Sequence, residues 1–82
     1  MQPNTDVIAR KLGQATVLVH FPTNRIFELN ETGTRIWELV CQNRDFASIV
    51  LTLVEEFDVD EERAADEAGR LLERLRTEGL LV

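Results

Sequence analysis

The chain has 82 residues, 44% hydrophobic and 29% charged, which is one small domain with a single core and little sequence to spare for a deep active-site cavity. No apolar run approaches the roughly 20 residues of a membrane span, and the opening Met1-Gln2-Pro3-Asn4-Thr5-Asp6 has neither the basic start nor the apolar stretch of a signal peptide. Cys41 stands alone, which excludes an intrachain disulfide and points to a reducing, cytoplasmic setting. The net charge of −6 is unevenly placed: residues 1–44 hold five basic and four acidic side chains, residues 45–82 four basic and eleven acidic. An acidic half beside a near-neutral half argues against phosphate neutralisation on a nucleic acid and against attraction to an anionic membrane. A peptide or protein partner fits better.

In chain order, Val7 to Leu12 reads as a weak strand closed by a Gly13-Gln14 turn. Ala15 to Phe21, dense in β-branched and aromatic residues, is the strongest strand. Pro22-Thr23-Asn24 reads as a hairpin loop, with proline presetting the first turn residue and Asn24 tolerating a left-handed backbone. Arg25 to Leu29 returns as a third strand, with Phe27 and Leu29 on one face and Ile26 and Glu28 on the other. Phe27 and Leu29 are expected against the helices, Ile26 and Glu28 toward a partner.

Three helices follow. Asn30 caps the first, whose buried stripe is Gly33, Ile36, Leu39 and Val40, with Trp37 beside it. Asp45 caps the second, where Phe46, Ile49, Val50, Leu53, Val54 and Phe57 repeat at helical spacing. Asp60 caps the third, which Gly79 ends, with Leu80 folding back on its last turn. At about 100° per residue, Ala64, Ala68, Leu71 and Leu75 form the stripe expected to face the core, while Ala65, Leu72 and Arg76 widen it to one side. That lopsided flank suits either one wall of a groove or a core extended under a loop. The fold class is α+β: a three-stranded antiparallel sheet followed by three helices, in one domain over residues 1–82.

Catalytic chemistry has little to stand on. One cysteine and one histidine, Cys41 and His20, cannot make the three or four ligands of a zinc site, and both read as core, boundary or surface side chains. The four glycines are scattered, so no phosphate loop exists. Ser48, the one serine, lies inside a helix with no base in view and without the Asp-Ser-Leu context of a carrier protein. The carboxylates after residue 44 sit at caps and on solvated faces. Neither catalytic residues nor metal ligands nor a cofactor are expected.

The stretch Asn24-Arg25-Ile26-Phe27-Glu28-Leu29-Asn30-Glu31-Thr32-Gly33-Thr34-Arg35-Ile36-Trp37-Glu38-Leu39 resembles the PqqD-like family: a strand with an aromatic, then Leu-Asn, a short polar step, a glycine and an Ile-Trp-Glu-Leu helix. Ile49 to Val59, ending in Phe-Asp-Val-Asp, and Leu71 to Leu81 resemble its later helices, so the likeness covers residues 7–82. The resemblance implies a winged helix-turn-helix-like RiPP recognition element, a peptide-binding module that takes the leader segment of a ribosomally made precursor as an added strand. It places the leader beside Arg25, Ile26, Phe27, Glu28 and Leu29, against a helix wall of Ala65, Ala68, Gly69, Leu72 and Arg76. Leu72 would be the floor, with Arg25 and Arg76 at the rim. A short freestanding chain looks most like the leader-binding adaptors of lasso-peptide pathways, which deliver the precursor to a leader protease or another modifying enzyme. A PqqD-type chaperone serving a radical SAM enzyme in pyrroloquinoline quinone synthesis is the alternative. A winged-helix DNA-binding regulator is more remote, because the second helix has no basic residue.

Overall fold

A computed structural model describes residues 1–82. Its elements run β1 (Val7–Leu12), β2 (Ala15–His20), a 3-10 turn (Phe21–Thr23), β3 (Arg25–Leu29), α1 (Glu31–Cys41), α2 (Phe46–Glu56) and α3 (Glu61–Thr77). The strands form one antiparallel sheet in the order β1-β2-β3, so β3 has one paired and one free edge. The expected α+β class and element order both hold.

Local chemistry accounts for each boundary. Asn24 takes the left-handed conformation expected of it, φ 59°. Strand β2 stops one residue short of expectation, at His20, and Phe21 is exposed in the turn. Asn30, Asp45 and Asp60 each accept a backbone N–H three residues on, from Gly33, Ser48 and Arg63 at 2.7–2.8 Å, which satisfies one of the orphan donors at each helix start. Gly33 allows a close approach: a Cβ there would lie 3.3 Å from both the Leu29 Cβ and the capping Asn30 Oδ1, tighter than an ordinary contact. At the end of α3, Leu80 N donates to Leu75 O at 2.8 Å and Gly79 N to Arg76 O at 3.1 Å, with Gly79 at φ +83°. This is the Schellman arrangement, and it buries Leu80 completely.

The inner face of the sheet carries Thr16, Leu18 and His20 of β2 with Phe27 and Leu29 of β3. It packs on Ile36, Leu39 and Val40 of α1, and α2 adds Ile49, Val50 and Leu53. Trp37 joins this core. One pairing had no precursor in the strand pattern. Gln2 and Val82 exchange hydrogen bonds at 3.0 and 2.8 Å, and Asn4 N donates to Leu80 O at 2.9 Å. The two chain ends are thereby joined, fixing the tail of α3 beside the sheet.

Four expectations change. His20, expected as a boundary or surface side chain, is buried, and its Nδ1 lies 2.8 Å from Thr23 Oγ1. Phe46, counted in the stripe of the second helix, is exposed, because α2 begins outside the packed layer. Cys41 is exposed where a core or boundary position was expected. Leu71 and Leu72 exchange roles on α3: Ala64, Ala68, Leu72 and Leu75 are buried, whereas Leu71 is only half-buried. A helical wheel orders side chains around their own axis but leaves open how that axis is rotated against the sheet.

Candidate functional site

The free edge of β3 is the starting point. Phe21 N donates to Asp6 O at 3.1 Å, so the backbone of Phe21, and by alternation of Val19 and Val17, points toward β1. His20, Leu18 and Thr16 therefore point toward β3, where they oppose Arg25, Phe27 and Leu29. The N–H and C=O groups of Ile26 and Glu28 are left facing outward along the unpaired edge. Their side chains point to solvent, Ile26 with 70% of its surface exposed, while Phe27 and Leu29 are buried. The expected division of the two strand faces is thus the observed one. A short edge strand with its backbone groups unpaired and a bare isoleucine beside them is a template for another strand.

Beside that edge lies an open cleft of about 920 Å³. Glu28 and Leu29 of β3 border it, as do the first turn of α1 and the β1–β2 turn, and its far wall is Glu67, Arg70, Leu71 and Arg74 of α3. Leu29 and Leu71 supply apolar floor; the rim is charged. At the other end of β3, Arg25 Nη2 meets Glu78 Oε2 at 2.6 Å, and the Arg25 guanidinium carbon lies 5.1 Å from the centre of the Phe27 ring. The strand and the helix are held together at one end and stand apart at the other.

A groove between the third strand and the third helix is therefore present, but a different face of the helix lines it. Ala68 is fully buried and lines no surface. Gly69, Leu72 and Arg76 border a separate, more apolar cleft of about 380 Å³ with Phe46, Leu81 and Val82. Ala65 is half-buried on that same flank. The physical reason is that α2 and the C-terminal residues pack on the side toward which the apolar arc widens, so Leu72 joins the core while Arg76 stays exposed. Arg25 is at the strand end as expected; Arg76 is on the wrong side of its helix to share a rim with it. Leu71, Arg70 and Arg74 are the wall residues that the sequence reading missed. Their signal was the boundary between apolar arc and charged face, which is where a half-covered helix meets a cleft.

Away from the cleft, Arg35 bridges α1 and α2, donating to both carboxylate oxygens of Glu56 at 2.8 and 3.0 Å. That hydrogen bond holds the Glu56 carboxyl below the usual carboxylate range. The Cys41 thiol is raised, first by desolvation of the sulfur and then by Glu38 nearby, so little thiolate is present at neutral pH.

The family model for coenzyme PQQ synthesis protein D (PqqD) matches residues 15–81. The chain belongs to the PqqD family. The matched span covers both walls of the cleft. Among solved structures, this PqqD-family chain is similar to TbiB1 in complex with the TbiA(beta) leader peptide, with 27% identity, a TM-score of 0.93, and 99% of this chain and 94% of that chain covered. It also shares the fold of lasso peptide synthetase B1 complexed with the leader peptide, with 17% identity, a TM-score of 0.90, and 99% and 95% of the two chains covered. No curated protein matches the chain. Both structural relatives were captured holding a leader peptide.

Proposed function

We propose that this PqqD-family protein is a non-catalytic adaptor that captures the leader segment of a ribosomally synthesised precursor peptide by strand addition to β3. It then delivers the precursor to modifying enzymes such as the leader protease of a lasso-peptide pathway, in the cytoplasm. The observation that carries this reading is the free β3 edge, with the backbone of Ile26 and Glu28 turned outward beside an open cleft. Backbone pairing along such an edge supplies affinity, and the cleft between β3 and α3 sorts alternate side chains. The leader-bound TbiB1 relative supports the same occupant.

A PqqD-type role in quinone-cofactor synthesis, with a radical SAM partner, is the second reading, favoured by the family model itself. It uses the same edge and cleft and differs in the enzyme served. DNA binding is disfavoured electrostatically: α2 carries no basic residue and ends in Glu55 and Glu56. Fluorescence-anisotropy titration with the TbiA(beta) leader peptide and, separately, random duplex DNA tests the proposal. Saturable binding of the peptide alone is expected. Binding of the DNA alone would overturn it.

A further inference from the structure

Of the four arginines on α3, three have a carboxylate on their own helix. Arg63 meets Glu67 at 3.5 Å, Arg70 meets Asp66 at 3.2 Å and Arg76 meets Glu73 at 3.6 Å. Arg74 has none. Its natural partner is Glu78, one turn further on, but Arg25 holds that carboxylate at 2.6 Å. Arg74 lines the cleft, so an unpaired guanidinium stands on the helix wall. Glu28, on the strand side of the same cleft, likewise has no cation bound to it.

Building on the leader-capture reading above, we infer that the cleft selects a peptide strand with a charge signature: a carboxylate for Arg74, an apolar residue two positions away for Leu71, and a basic residue between them beside Glu28. The spacing carries the inference. Leu71 and Arg74 are three residues apart on one helix face, which sets them about 5–6 Å apart at Cβ. Alternate side chains of an added strand are separated by about 6.6 Å, at 3.3 Å per residue, and one set of them points to the helix side of the sheet, where Leu29 borders the cleft. The intervening side chain points outward, on the face that Glu28 occupies, where an opposite charge across the strand pair is favourable. A guanidinium with no internal acid can offer its planar fork to an incoming carboxylate.

The test is a selection of displayed random twelve-residue peptides on the parent protein, on Arg74→Glu and on Ile26→Pro, which removes an outward N–H from the β3 edge. On the parent, Asp or Glu two positions from an apolar residue is expected to be enriched. On Arg74→Glu, Lys or Arg is expected at that same position. The best parent peptide should bind Arg74→Glu about fivefold more weakly, in line with an exposed ion pair, and recover when its carboxylate residue is changed to lysine. Arg74→Gln, which adds no charge near Glu78, should lose the acidic preference and serves if Arg74→Glu does not fold. Edge-dependent peptides with no acidic position, or the same peptides on parent and Arg74 variants, would overturn the charge signature and leave strand capture standing. Peptides that bind Ile26→Pro as well as the parent, or no enrichment on the parent, would overturn capture at β3 and this inference with it.

Discussion

Arg25 and Glu78 meet at 2.6 Å and tie the first residue of β3 to the end of α3. The pair sets the spacing between the two walls of the cleft at one end. It also withdraws from Arg74 the carboxylate that its own helix would provide. Arg25 is half exposed, so the bond itself contributes only about 0–1 kcal/mol and is weakened by salt. Arg25→Gln is accordingly expected to lower the melting temperature by no more than about 4–8 °C, with the difference shrinking in about 1 M salt. Thermal melts at two ionic strengths measure this. A loss that salt does not touch would mean that the Arg25 stack on Phe27, not its charge, is the stabilising contact.

Proline scanning of β3 reads out which backbone groups are free. Ile26→Pro should leave the fold intact, because its N–H faces away from β2, yet abolish edge pairing with a peptide. Phe27→Pro removes a donor from the β2–β3 ladder and should unfold the domain. Phe27→Ala, truncating a ring that is 8% exposed, should cost about 3–5 kcal/mol. Chemical denaturation of the three variants, with peptide titration of those that fold, checks the alternation. An unfolded Ile26→Pro beside a folded Phe27→Pro would reverse the assignment.

The adjacent leucines of α3 should separate stability from binding. Leu72→Ala is expected to destabilise by about 2–5 kcal/mol, since the side chain is in the core. Leu71→Ala should cost little stability but weaken leader-peptide binding ten- to a hundredfold, the equivalent of losing about 1.5–3 kcal/mol of apolar burial. Urea unfolding and calorimetric titration of both variants provide the comparison. Weak binding by Leu72→Ala at temperatures where it is folded, with Leu71→Ala unaffected, would return the site to the other flank.

The Arg35–Glu56 pair predicts an acid-side loss of stability. Hydrogen bonding to Arg35 lowers the folded-state pKa of Glu56 below its ordinary value of 4.5. The stabilisation is therefore fully present above about pH 4.5 and disappears as pH falls through the lowered value. The Glu56 side chain is 42% exposed and that of Arg35 28%, so solvent screening limits the effect to under about 1 kcal/mol. Glu56→Gln should match the parent more closely at pH 3 than at pH 7 in denaturant melts. An equal difference at both values would show that charge is not what links α1 to α2 there.

Much of this molecule is legible in its sequence because the signals are local. The caps Asn30, Asp45 and Asp60 use a side chain to satisfy an N–H three residues away, and each helix starts where its cap stands. Asn24 and Gly79 mark the two places where the backbone turns left-handed between or after elements. Period-two alternation in Arg25–Leu29 divided the strand into a core face and an outer face, and the PqqD-like motif around it pointed to peptide capture. What tertiary structure alone decided is which side of α3 looks at β3. Leu71 and Leu72 are adjacent and chemically identical, and the wheel, which fixes only their angular order, put Leu71 in the core stripe where the packed helix buries Leu72. Packing of α2, and of the 80–82 segment paired with residues 2–4, covers Leu72 and leaves Leu71 beside the open edge. The pairing of Arg25 with Glu78, 53 positions further along the chain, was equally out of reach, because contacts between distant segments follow from how the whole core closes and no local propensity encodes them.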